Sequence, residues 1–445
     1  MASLPDVARR IKDDPASLID SVLVAESCSR RHPAWRDRVL SPRRTLEAFA
    51  TQIAHGNTAI AHVVRLAGGE FTESAYCQAR QRLPVQVFRD VLRDTTARQL
   101  GAARAATGTW KGLHTFIADG TGCDMPEVPE LQRHFGQPPN PGPGRGFPIA
   151  HVLTLFDAPS GLLLDMVVSP YATQDVTKMA DFHSHLGPGD LVITDRGICA
   201  YVYIAMLAAR GVHVVCRAHQ GRTIPYPASP GPRETLPYNR HRRKTPILVE
   251  RLGDRDQVVE LLKPTNRPGW MTPGAFAAIP SKLTVRVLKF RVHEPGFRTK
   301  EIELMTTLLD GAAYPAAELA ELYMVRWQIE VNLRHIKRTL GMTSLHCKAV
   351  DGVTKELLMF ALVYNAVRAI MVQAATRQRV TPDRISFIDA LRWIVHHRED
   401  EPLPNLKVNS KRPGRLYARA VKRSPSFPKL TATRATYREQ VKQPI

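Results

Sequence analysis

The sequence predicts an α/β fold, and three observations carry that reading. Short β-branched runs begin after Trp110 and alternate with helical stretches; a helical region precedes them; a proline- and glycine-rich segment interrupts them. HTFIADGTG, IAHVLTLFD and LLLDMVVSP read as three consecutive strands, the last two a hairpin around Ala158-Pro159-Ser160-Gly161. A helix is expected from about Asp175 to Leu186. LVITDRG then reads as a buried strand ending at Asp195, CAYVYIAMLAARG as a helix closed by Gly211, and VHVVCRA as another strand. Three strands, helix, strand, helix, strand is the order of a ribonuclease-H-like core, whereas a TIM barrel needs more repeats.

Before this core, LEAFATQIAHG reads as a helix from Thr45 to Gly56. Asn57 is then expected to cap TAIAHVVRLAGG, and Thr72 to cap ESAYCQARQRL, which stops at Pro84. The trio is compatible with a helix-turn-helix module whose third helix offers Arg80 and Arg82, with Gln78 and Gln81, to DNA. After the core, His219 to Thr299 is rich in proline, glycine and charge but contains the strand-like runs PILVERL, VVELL and LTVRVLKFRV, which suggests a β-rich insertion. EIELMTTLL follows as a strand, then a long helix from Pro315 to Gly341 and an apolar helix over about Lys355 to Gln373. The expected organisation is therefore an N-terminal all-α DNA-binding domain (1–108), a ribonuclease-H-like core in two parts (109–218 and 306–395) interrupted by the insertion (219–305), and a basic C-terminal tail (396–445).

Composition narrows the function. The chain of 445 residues holds 62 Lys and Arg against 41 Asp and Glu, a formal net charge of +21. That excess is the footprint of a polyanionic partner, with nucleic acid foremost. No apolar run near the ~18 residues of a membrane span stands out, and the N-terminus lacks a signal-peptide pattern, so a cytoplasmic, nucleoid-associated location and no membrane partner are expected. The six cysteines are scattered without a C-x-x-C pair, which argues against zinc and redox chemistry.

The chemistry concentrates in three acids. Asp119 in IADGTG and Asp195 in VITDRG each end a strand, where a following glycine lets the chain turn and leave the carboxylate at the sheet edge. On the helix from Pro315 to Gly341, Leu322, Val325, Ile329, Leu333, Ile336 and Leu340 form an apolar stripe. Tyr323, Arg326, Glu330 and Lys337 form a second stripe about a quarter turn away, bordering the core. The bland alternative is an exposed Arg326–Glu330 pair at i,i+4. Asp124, Asp157, Asp165 and Asp190 read as turn or strand-face residues, and His114, His151 and His213 as locally satisfied. Trp270 in RPGWMTPG either stacks on an unpaired base or plugs the insertion. Lys411, Arg412 and Arg415 in KRPGRLYARAVKR are expected along DNA phosphates.

The spacing Tyr323-x2-Arg326-x3-Glu330-x6-Lys337 within ELYMVRWQIEVNLRHIKRTLGM resembles the Y-x2-R-x3-E-x6-K signature of insertion sequence 4 family transposases, which are cut-and-paste DDE transposases. IADGT and VITDRG resemble that family's two catalytic-Asp motifs, and the resemblance runs from about Ser41 to Lys411. It implies that Asp119, Asp195 and Glu330 are catalytic ligands of two Mg2+ ions, with Mn2+ as a substitute, and that Tyr323, Arg326 and Lys337 hold DNA phosphates. It also implies a homodimer that pairs the element's terminal inverted repeats and joins them to target DNA. A nuclease of the same core without strand transfer, and a non-catalytic DNA-binding descendant, are the competing readings.

Overall fold

The computed structural model describes residues 21–31, 39–138, 146–219, 224, 226, 246–292, 301–396, 402–410, 432 and 436–439. The basic tail residues Lys411, Arg412 and Arg415 lie outside them. The described chain begins with α1 (Ser21–Arg31), α2 (Pro42–Ala54), α3 (Ile60–Leu66), α4 (Glu73–Arg82) and the long α5 (Val85–Thr107). Helix α2 starts three residues before the expected Thr45, because the Ser41 hydroxyl accepts from the Arg44 amide and Pro42 fits the first turn. Thr72 caps α4 as expected, accepting from the Ala75 amide. Asn57 does not cap α3. Its backbone is left-handed (φ 55°) and its amide donates to the buried Glu356 carboxylate at 2.7 Å, so α3 begins at Ile60 instead.

β1 (His114–Asp124), β2 (Ile149–Asp157) and β3 (Leu163–Pro170) form an antiparallel meander, with α6 (Pro129–Phe135) between β1 and β2. A single helical turn, α7 (Asp175–Lys178), runs on into a 3-10 segment over Met179–His185, in place of one regular helix. β4 (Asp190–Thr194) and β5 (His213–Arg217), linked by α8 (Tyr201–Ala208), add parallel to β1. β6 (Ile247–Gly253), β7 (Asp256–Leu262), β8 (Lys282–Arg291) and β9 (Glu301–Thr306) follow, with α9 (Pro273–Ala278) between β7 and β8.

Among the described residues the strands make one sheet of nine, in the order β3-β2-β1-β4-β5-β9-β8-β7-β6. The first five follow in the chain order read from the sequence, and β2 and β3 pair antiparallel as the expected hairpin. The strands of the expected insertion continue that same sheet through β9, which pairs antiparallel with both β5 and β8. Arg286 on β8, 1% exposed, fastens this extension: its guanidinium binds both Asp256 oxygens and the Asp310 and Tyr314 carbonyls.

The expected helix from Pro315 to Gly341 is broken. It divides into α10 (Ala316–Met324) and α11 (Trp327–Arg334), with a turn at Val325-Arg326 tightened by i→i−3 bonds to Leu322 and Tyr323. A π turn over His335–Thr339 then ends in the Leu340 amide bonding the His335 carbonyl. α12 (Val350–Gln378) and α13 (Phe387–His396) complete the order.

α12 is long and apolar enough to cross a bilayer by length and composition, which the expectation of no such run overlooked. It is instead the central core helix, since 89% of its most apolar window is buried. It packs on α5, on α2 and on the sheet, and the apolar residues of α1 to α5 join those of one sheet face in a single core. A second core, on the opposite face, is built from α8 and the Met179–His185 segment.

Candidate active site

Two carboxylates meet where β4 ends alongside β1: Asp195 follows the end of its strand as expected, whereas Asp119, expected to end its strand, lies inside β1, which continues to Asp124 because it stays paired with β2. The β1–β4 ladder runs as far as Ile117 opposite Ile193, and two residues beyond on each strand stand Asp119 and Asp195. Strand alternation puts both on the face that carries α11 and α12, because Ile117 and Ile193 belong to that core. Past this point β4 stops while β1 continues with β2, so Asp195 stands at the carboxyl end of a parallel strand, the usual place for a site in an open α/β sheet. Local bonds fix each acid: the Gly120 amide donates to Asp119 Oδ1 at 2.9 Å and the Gly197 amide to Asp195 Oδ1 at 2.7 Å. Thr154 on β2 donates to the Asp119 carbonyl at 2.8 Å.

Burial pushes the Asp119 carboxyl up to about 6. Arg326 pulls it back down, the Asp195 carboxylate raises it, the Gly120 amide lowers it, and the Asp175 carboxylate raises it again. A partly desolvated acid crowded by two others is a place where a cation gains. The cation now facing it is Arg326, whose Nη1 stands 3.3 Å from Asp119 Oδ2. Arg326 therefore bonds across to the sheet and not to Glu330 one turn away, which removes the surface-pair alternative. Its Nε is buried without a hydrogen-bond partner, so the guanidinium keeps a donor unused.

Tyr323 is 2% exposed and lies with its ring centroid 5.8 Å from the Arg326 guanidinium carbon. Burial, opposed by Arg326 and Arg217, raises its phenol above the ordinary value. The π turn swings Lys337 onto β1, where its Nζ donates to Thr121 Oγ1 at 3.1 Å and to the Gly122 carbonyl at 2.8 Å. The broken helix thus delivers Tyr323, Arg326 and Lys337 to the sheet by a route that ideal helical spacing does not describe. Glu330 is exposed and makes no hydrogen bond or ion pair among the described residues. No group of three His, Cys, Asp or Glu among them is drawn together as a metal site. Asp195 acts electrostatically on Asp119, whereas Glu330 is not among the charges that do.

The remaining expected contacts divide. Arg80 turns inward: its guanidinium lies 3.7 Å over the Phe49 ring and donates to Gln52 Oε1 and Cys347 Sγ, so it is spent on packing, whereas Arg82 is exposed. Trp270 packs, half-buried, against the second core. Asp157 and Asp190 accept backbone amides of their own turns, from Ser160 and Gly187. Two residues at the site escaped the sequence reading. Arg217 ends β5 beside Asp195 and acts electrostatically on Tyr323; its strand-end position was the available signal. Asp175 bonds His151 and reaches Asp119 through a fold-back that no spacing announces.

The family described as "Transposase DDE domain" matches residues 110–366, more than half of the chain. The transposase InsG for insertion sequence element IS4 of Escherichia coli (strain K12) is 26% identical over 371 residues, covering 81% of this chain and 76% of that protein. A cryo-EM structure of the piggyBac transposase synaptic complex with hairpin DNA aligns with a TM-score of 0.43 at 9% identity, over 89% of this chain and 80% of that one. The family match spans Asp119, Asp195 and the broken helix, and with the insertion-sequence relative it assigns the chain to the DDE transposases of the insertion sequence 4 family.

Proposed function

We propose that this transposase binds the terminal inverted repeats of its element, cuts DNA at the element ends by metal-dependent phosphodiester hydrolysis, and transfers the 3′ ends to target DNA. The observation that supports this most is the pairing of Asp119, inside β1, with Asp195, just past the end of the neighbouring parallel β4, with Arg326 brought to Asp119 from the helix side. The donor set suits a hard divalent cation: carboxylate oxygens, one of them desolvated and crowded by like charge. Asp119 and Asp195 would hold such an ion. Glu330, exposed on α11, would complete the set as the third ligand. Two Mg2+ ions, with Mn2+ as a substitute, would activate the attacking oxygen and stabilise the leaving one.

The chain's own residues handle the DNA. Arg326, with one donor unused, exchanges Asp119 for a phosphate oxygen once the carboxylate is neutralised, and its planar fork takes the phosphate in a fixed orientation. Tyr323 backs the guanidinium from the core side, which limits where that phosphate can sit. Lys337, anchored on β1, supplies a point charge beside it. Arg82, exposed at the end of α4, and the tail residues Lys411, Arg412 and Arg415, add contacts further along the duplex. A homodimer holding two ends is the arrangement that lets one site act on both substrates of strand transfer. The cytoplasm, beside the nucleoid, is where such a protein meets DNA.

The test is incubation of the protein with Mg2+ and a supercoiled plasmid carrying the element ends, in parallel with Asp195→Ala. Excision and joining by wild type alone support the proposal. Nicking without joining favours a nuclease of the same core, and binding without cleavage in either Mg2+ or Mn2+ rules out both enzyme readings.

A further inference from the structure

On the far side of the sheet from the Asp119 carboxylate lies a second charged group that the family signature does not include. Asp175, at the start of α7, and His151, on β2, are both half-buried and bonded to each other, His151 Nε2 to Asp175 Oδ1 at 2.5 Å. The pair lies against Gly120, the residue that follows Asp119 on β1. A Cβ placed on Gly120 would penetrate the Asp175 carboxylate and come within 2.9 Å of His151 Cε1. The missing side chain at 120 is thus the space that the pair fills. Because successive strand residues point to opposite faces, the pair presses on β1 from one side while Asp119 projects from the other. The amide of the same Gly120 donates to Asp119 Oδ1, so backbone held by the pair also orients the carboxylate.

Resting on the reading of Asp119 as a metal ligand, we infer that Asp175, held by His151 across Gly120, is a positioning residue of the transposase site: it fixes the strand that carries Asp119 and adds negative charge behind it that favours a divalent cation. A purely structural pair would serve as well with a neutral side chain of the same shape. Asn at 175 keeps an oxygen that accepts from His151 and loses only the charge.

The experiment measures Mn2+ binding by the full-length protein, by titration calorimetry and by the Mn2+ electron paramagnetic resonance signal. It compares wild type with Asp175→Asn, Gly120→Ala and Asp119→Ala. Partners behind a metal ligand commonly change affinity by 10–100-fold, so Asp175→Asn is expected to weaken Mn2+ binding by about tenfold. Its thermal midpoint should stay unchanged, and cleavage of end-carrying DNA should lose kcat with little change in KM. Gly120→Ala, which displaces the Asp175 carboxylate, is expected to weaken Mn2+ binding likewise and to lower the thermal midpoint; should it fail to fold, Asp175→Asn decides alone. Mn2+ affinity of Asp175→Asn within twofold of wild type, with Asp119→Ala abolishing binding, overturns this inference and leaves the metal reading standing. Unchanged binding by Asp119→Ala overturns both.

Discussion

Asp119 ionises against its surroundings, and that has consequences opposite in sign to those of an ordinary paired carboxylate. Its folded pKa of about 6 lies above the ordinary value of 3.8. Between those pH values the native state binds more protons than the unfolded one, so stability falls as pH rises through the window. At neutral pH and without metal the carboxylate is a net cost to the fold. Asp119→Asn is therefore expected to melt higher than wild type in metal-free buffer at pH 7.5, while Mn2+ raises the midpoint of wild type alone; a variant that melts lower by calorimetry contradicts this. The same proton competes with a metal ion, so cleavage in Mg2+ should decline as pH falls through about 6, and a rate flat down to pH 5 refutes the assignment. His335 carries the other sign. Burial, then Arg368 and Arg334, lower it to about 4, and its ring stacks on Phe387 with centroids 4.3 Å apart. The stability this neutral ring contributes is complete above pH 6.5 and is lost as pH falls from there toward 4.

At the scale of elements, the segment from α10 to the π turn does what a straight helix cannot. The tight turn at Val325-Arg326 aims one cation at Asp119, and the wide turn at His335–Thr339 aims another at Thr121 and the Gly122 carbonyl. Lys337→Ala should retain Mn2+ binding yet lose cleavage at least tenfold through poor DNA positioning, on the order expected for a charged group at a phosphoryl-transfer site. Full activity in that variant removes Lys337 from the site. A different joint fastens the N-terminal helices to α12. Glu356, 1% exposed, accepts from the Asn57 amide and from the His346 and Cys347 backbone amides, and Lys355 Nζ donates to the carbonyls of Arg80 and Gln81. Glu356→Ala strands those buried donors and is expected to destabilise the protein by about 3 kcal/mol in urea denaturation. A loss under 0.5 kcal/mol shows that the joint is not needed.

Across the whole molecule, the charge of +21 makes DNA binding depend on salt through the release of condensed counterions. Each phosphate contact removed should reduce the slope of log affinity against log salt by about one. Arg82→Ala should therefore bind end DNA more weakly with a shallower slope. Arg80→Ala should leave the slope intact and lower the thermal midpoint, because that guanidinium is committed to Phe49, Gln52 and Cys347. Reversed outcomes for the two arginines, read from fluorescence anisotropy across a salt series, contradict this division.

How much was legible follows from the range over which each interaction acts. Strand runs, the Thr72 cap and the position of Asp195 past the end of its strand depend on side-chain pattern within a few residues, so the sequence alone determined them, as it did the α/β class and the Tyr-Arg-Glu-Lys spacing; the Ser41 cap and the run of β1 beyond Asp119 were missed. Asn57 was misread because its strongest acceptor, Glu356, lies 299 residues away, and Arg80 because Phe49 and Cys347 approach it only in three dimensions. The helix break at Arg326 and the π turn carry no proline or glycine to announce them; both arise where cations bond to β1. Tertiary structure alone decided that the insertion's strands extend the core sheet and that Asp175 and His151 close on Gly120. Each depends on charges and backbone edges meeting across distant segments, and sequence periodicity records only what neighbours along one element require.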